Sequence, residues 1–148
     1  MKGMLLVWFF LTSLLLVGCT IVQTANPVLL QIDDPKEICV IESNDSEVNE
    51  SFIPPFKAAL ENKGFSVNVL YYKADVNECR LSSTFVAKWS WDFVTYLAHA
   101  EIIVYRNGTR IGDALYDAPK AGIALTTKIY DSTESKIEKM IALLFPSK

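Results

Sequence analysis

The chain has 148 residues, 51% of them hydrophobic and 21% charged, with 6 Gly, 6 Pro and 3 Cys. That is room for one domain, and it excludes disordered, collagen-like and disulfide-dense classes. A formal charge of −3 argues against a nucleic-acid partner.

The first element is apolar. Met4 to Val17 reads MLLVWFFLTSLLLV, without a charge, with Lys2 in front and Gly18-Cys19 behind. A basic start, a short apolar run and a small-residue exit describe a secretory signal peptide, so residues 1–18 are set aside from the fold. Their removal takes away one Lys and no acid, leaving 13 basic against 17 acidic residues, or −4. The charge-free stretch continues to Val22, close to the ~20 residues that span a bilayer as a helix. An uncleaved anchor with Lys2 on the cytoplasmic side is the rival expectation. Either form exports the rest of the chain.

Residues 19–36 read as a mature N-terminus and tether. Pro27 and Pro35 oppose a helix there. A coil of that length reaches roughly 20–25 Å, and its VLLQI stretch is apolar enough to pack on the domain or add an edge strand.

Residues 37–148 read as a single domain. Ile38 to Glu42 (ICVIE) has the continuous apolar character of a buried strand. The polar run Ser43 to Ser51 reads as a loop. Pro54 and Pro55 suit a first helical turn, followed by an apolar face of Phe56, Ala59 and Leu60 and a stop at Gly64. In FSVNVLYY, Phe65, Val67, Val69 and Tyr71 alternate against Ser66, Asn68 and Leu70, as a strand does. Strand, helix and strand in this order make a β-α-β unit with parallel neighbours.

Lys73 to Ser83 is a polar crossing that carries Cys79. In STFVAKWSWDF, Phe85, Ala87, Trp89, Trp91 and Phe93 share one face against Lys88, Ser90 and Asp92. Tyr96 to Tyr105 is a second strand, Asn107-Gly108 favours a tight hairpin, and Ile111 to Tyr116 returns as the third strand of a meander. Asp117 to Ile129 reads as loop or weak edge strand. Asp131 with Glu134 resembles a capping box. Ile137, Met140, Ile141 and Leu144 then recur at helical spacing until Pro146. The expected fold is α+β, a two-layer sandwich with two helices on one face of a mixed four- to five-stranded sheet.

An oxidising compartment makes Cys39 and Cys79 a candidate disulfide. Closing that loop would stabilise by roughly 4 kcal/mol in the chain-entropy picture. The alternative is two buried thiols. No catalytic constellation assembles. His99 is the only histidine and sits among strand alanines. No zinc-ligand spacing, nucleophile elbow or phosphate-binding loop occurs. Asp92, Glu101 and Asp113 are scattered acids. No cofactor and no metal is expected, and the chain does not read as an enzyme. The aromatics Trp89, Trp91, Phe93 and Tyr96 read first as core beneath the last helix. The second reading is a binding surface of Trp89, Trp91 and Tyr96 for sugar rings or a partner.

Leu16-Val17-Gly18-Cys19 resembles the lipobox of bacterial lipoproteins. The resemblance implies that Leu16, Val17 and Gly18 are recognised by a signal peptidase. Cys19 then becomes a lipid-modified N-terminus that holds the protein to a membrane by its acyl chains. Val17 departs from the usual Ala or Ser. Thr20, where an Asp would signal inner-membrane retention, implies the outer membrane facing the periplasm. The segment WSWDFVTYLAHAEIIVYRNGTRIGDALYDA with the closing LFP is similar to small uncharacterised proteobacterial envelope lipoproteins. The β-α-β start resembles small envelope domains such as the N-terminal domain of TolB and the LpoB-type lipoproteins.

These readings combine into an expected function: a lipid-anchored, non-catalytic binding or accessory protein of the envelope. Its expected partner is another envelope protein or a cell-wall component. The alternatives are a peptidoglycan or glycan binder using the Trp89/Trp91 strand and, third, an envelope hydrolase.

Overall fold

In the computed structural model, which describes residues 22–118 and 131–147, the chain order is two strands, a helix, four strands and a helix. These are β1 (Val22–Asn26), β2 (Glu37–Ile41), α1 (Ser46–Asn62), β3 (Ser66–Leu70), β4 (Leu81–Asp92), β5 (Val94–Arg106), β6 (Thr109–Asp117) and α2 (Thr133–Leu144). The strands form one mixed sheet in the order β1-β6-β5-β4-β2-β3. β2 runs parallel to β3 and β4, and the remaining pairs are antiparallel. The α+β class and the β-α-β start are as expected.

The sheet has six strands rather than four or five. The extra strand is β1, which comes from the stretch read as a tether and pairs with β6 from Val22↔Asp117 to Asn26↔Asp113. Pro27 lies just past its end, where a missing amide donor breaks no ladder bond. Val28 then turns inward, and its N–H donates to the Leu144 carbonyl at 2.8 Å.

β2 is buried on both faces, as its unbroken apolar run implies. Ile38 and Val40 join the core beneath the helices, while Cys39 is bonded to the crossing segment through a disulfide to Cys79, with Cα atoms 6.2 Å apart.

α1 begins well before Pro54. The Asp45 carboxylate accepts from the Glu47 and Val48 amides at 3.0 and 3.3 Å, so only residues 43–45 of the polar run are loop and residues 46–51 form the first helical turns. Pro54 and Pro55 therefore lie inside the helix. The carbonyls they leave without a helical partner belong to Glu50 and Ser51, both exposed residues that solvent can reach. That is why the pair is tolerated. Gly64, at φ 90°, closes the helix as expected.

The α2 cap is Ser132, whose hydroxyl accepts from the Ser135 amide at 3.2 Å. Asp131 is not the cap; its carboxylate accepts from Lys139 Nζ at 2.6 Å instead. The Asn107-Gly108 pair makes the β5–β6 turn with φ 48° and 73°, and a Cβ at Gly108 would strike the Asn77 side chain. The reading of Asp117 to Ile129 falls, beyond Ala118, outside the described residues.

α1 and α2 pack on one another, α1 over β3 and β4 and α2 over β6 and β1. Phe52 stacks on Phe85 at 4.6 Å and Phe56 meets the same ring edge-on. Ile137, Met140, Ile141 and Leu144 are all buried, as their spacing predicts. Length then decides what the helices leave bare. A strand of 12 residues such as β4 spans about 40 Å, whereas α2, also 12 residues, covers about 18 Å.

Candidate functional site

The β4–β5 hairpin outruns its neighbours. β6 accompanies β5 only as far as Asp117↔His99, and one further bond runs from the Ala118 amide to the Ala98 carbonyl at 2.8 Å. Beyond that level, among the described residues, Trp89–Asp92 pairs with Val94–Leu97 as a two-stranded arm. Its register shifts between Lys88 and Trp89, an irregularity of the kind that bends and twists a ribbon.

The tip is a single residue, Phe93, between paired Asp92 and Val94. Its φ is 67°, a left-handed conformation that costs an L-residue roughly 1–2 kcal/mol. Phe93 is 83% exposed, Trp91 67% and Val94 41%, and the Trp91 and Phe93 rings lie 6.0 Å apart. The tip is therefore an apolar cap exposed among the described residues.

The sequence-derived aromatic set divides here. Trp89 is half-buried against the core at the root of the arm, and Trp91 is exposed. Tyr96 is 8% exposed; its hydroxyl donates to Asp92 at 3.0 Å, and Lys136 Nζ lies 5.9 Å from its ring centre. Across the hairpin, Trp89 faces Leu97, Ser90 faces Tyr96 and Trp91 faces Thr95. Successive residues point to opposite sides of a strand, so Tyr96 lies on the other side of the ribbon from both Trp. The three rings do not form one platform. Only Phe85 and Ala87 of the alternating run are buried core.

Phe93 and Val94 enter the candidate site without having been named for it. The WDFVTY stretch contains no Gly, Pro or Asn, and its single turn-forming residue, Asp92, sits among strand formers, so the turn is weakly marked in sequence. The signal that was available is length: strands of 12 and 13 residues cannot be covered by the short helix that follows them.

The polar groups near the arm are occupied. His99 Nδ1 lies 2.7 Å from Asp117 Oδ1 and joins β5 to β6 where those strands part. Farther from the arm, level with Ile103 and Tyr105 of β5, Arg110 lies 3.0 Å from Asp113 and 3.7 Å from Glu101, and Asn26 donates to Asp113 at 3.0 Å. Burial pushes the Tyr116 hydroxyl up to about 12 and pulls Lys136 below the usual lysine range; the ammonium sits 5.5 Å from the Tyr116 ring. Among the described residues no group of three or more His, Cys, Asp or Glu could hold a metal.

The opposite end of the sheet is pinned by charge. The buried Asp34 carboxylate accepts from Arg106 Nε at 2.8 Å, from a second Arg106 nitrogen and from the Gln31 amide at 2.8 Å. The Arg106 guanidinium holds Asp34 below the usual carboxylate range. A groove of about 510 Å³ lies beside this clamp, lined by Val28, Leu29, Ile32, Lys63, Phe65 and Phe145. Leu29 and Ile32 on its rim are exposed.

No protein-family model matches the chain, and no curated protein sequence matches it. Its fold is found in solved structures. A PelC dodecamer from Paraburkholderia phytofirmans is 15% identical, with 85% of this chain and 98% of that chain covered and a TM-score of 0.56. A leucine-to-methionine variant of the same PelC, also a dodecamer, is 14% identical over 86% and 98%, with a TM-score of 0.52. The likeness establishes the fold. Leu16, Val17, Gly18 and Cys19 lie outside the described residues. No helix among the described residues is long and apolar enough to cross a membrane.

Proposed function

We propose that the chain is a lipid-anchored, non-catalytic accessory protein of the bacterial envelope, working as an assembly of identical copies. The observation that carries this reading is the arm. It offers an exposed apolar surface, while the acids beside it, Asp92 and Asp117, are engaged by Tyr96 and His99. Such a domain is built for contact rather than for bond-breaking. The lipobox at Leu16–Cys19 supports the anchor, with the periplasmic face of the outer membrane as its address. The fold shared with the PelC dodecamers supports self-assembly. Three acyl chains would hold each copy stably, since each buried CH₂ contributes about 0.8 kcal/mol. An assembly multiplies both anchors and contact surfaces.

The test uses the full chain expressed in a Gram-negative host and extracted in mild detergent. The mature N-terminal peptide is expected to carry a diacylglyceryl, N-acylated Cys19 by mass spectrometry. Light scattering is expected to give a protein mass of many copies. A free thiol at Cys19 removes the anchor, and a monomeric mass removes the assembly. A second reading, stacking on cell-wall sugars, is favoured by the paired Trp91 and Phe93 rings.

A further inference from the structure

We propose that the tip of the arm, Trp91, Phe93 and Val94, inserts into the lipid interface of the same leaflet that holds the Cys19 acyl chains. The proposal rests on the lipid-anchor reading and adds a second, protein-made membrane contact to it.

Direction comes from the register. Val22 opens β1 opposite Asp117, and Asp117 is opposite His99. β1 therefore begins at the end of the sheet that carries the arm. The Asp34–Arg106 clamp and the groove lie at the other end, because Arg106 closes β5.

Reach comes from chain geometry. Cys19 precedes Val22 by three residues, which span at most about 11 Å when fully extended. Phe93 lies six positions beyond His99 along β5. At about 3.3 Å per residue, with one residue taken up by the irregularity, the arm projects about 15–20 Å past that level. The arm is longer than the tether. When the acyl chains are in the bilayer and the strands stand toward it, the tip meets the headgroups before the tether is taut.

Chemistry agrees with geometry. Trp prefers the membrane–water interface, and Phe and Val prefer the acyl boundary beneath it. The one ionisable side chain at the tip, Asp92, accepts a hydrogen bond from Tyr96. The exposed tip side chains are apolar, and a mature net charge of −4 gives no attraction to anionic lipid. Phe93 adds a separate argument. A bulky ring at φ 67° is strained, and at 83% exposure it gains little packing from the described residues. A ring kept there serves something outside the domain.

The experiment takes the lipidated full-chain product carrying Trp89→Phe, from which Trp8 has left with the leader, so that Trp91 is the only Trp. It is reconstituted into phosphatidylcholine vesicles whose acyl chains are brominated either near the headgroup or deep in the chain. The expected result is at least about a twofold loss of Trp91 emission with the shallow bromines, a smaller loss with the deep ones, and protection from aqueous iodide. The unsubstituted protein, with Trp89 half-buried at the root, is expected to show about half that loss.

Protein that floats with the vesicles while Trp91 stays fully open to iodide overturns the arm contact and leaves the anchor standing. Protein that floats with Trp91 shielded from both quenchers places the tip against a second copy and also overturns it. Shielding that requires added sacculi assigns the tip to glycan, with the same consequence. A free Cys19 thiol with no flotation overturns anchor and arm together.

Discussion

The two halves of the β4–β5 hairpin carry the same alternation of apolar and polar residues and end in opposite surroundings. At the base, Phe85, Ala87, Ala100 and Ile102 are buried beneath α1 and α2, and Arg106 is gripped by Asp34. At the tip, Trp91, Phe93 and Val94 stand in solvent on a two-stranded ribbon. The pattern specifies which residues share a face. It does not specify how far the cover extends. The difference separates residues that hold the fold from residues that the fold presents.

The largest expected effect breaks the base. Phe85→Ala removes the ring that stacks on Phe52 and meets Phe56, and should cost about 3–5 kcal/mol. Trp91→Ala removes as large a ring at the tip, yet should change stability by about 0.5 kcal/mol or less. Urea denaturation of the two variants measures the comparison directly; equal losses would mean that the tip is packed.

The next effect is electrostatic and again confined to the base. Asp34→Asn keeps the shape but removes the charge that Arg106 pairs with, and should cost about 1.5–3 kcal/mol at neutral pH. Arg106 holds the folded-state pKa of Asp34 below the usual 3.8. Its stabilisation is therefore complete above about pH 4 to 5 and is lost as pH falls through the lowered value. The gap in urea midpoint between wild type and Asp34→Asn should be wide near pH 7 and narrow toward about pH 3. A constant gap would show that Asp34 acts through shape alone.

The smallest effect sharpens the tip. Phe93→Gly relieves the left-handed strain and should raise stability by about 0.5–1 kcal/mol, net of the entropy that Gly adds to the unfolded chain. Calorimetry reads the gain as a higher Tm. A loss of stability would mean that the ring packs within the domain and that the exposed arm is misread.

Much of the fold was legible because its determinants are local. The β-α-β start, the Asn107-Gly108 turn, the Gly64 stop and the apolar face of the last helix each follow from a few adjacent residues. The start of α1 was misplaced because a proline pair reads as an N-terminus unless the carbonyls it strands are known to face water. β1 was passed over because two prolines exclude a helix without excluding a short edge strand. The site was legible only in part. The sequence groups Trp91 with half-buried Trp89 and buried Tyr96, its alternation puts Phe93 on the core face, and nothing in it marks Val94.

The amino-acid sequence alone determined the periodicities, the caps and the resemblance to a lipobox, since these depend on neighbours a few residues apart. Only the tertiary structure decided that Cys39 meets Cys79, that a sixth strand closes the edge beside β6, and that a hairpin runs past its helices into solvent. The physical reason is reach. A strand rises more than twice as far per residue as a helix, so whether one covers the other is settled where distant segments meet.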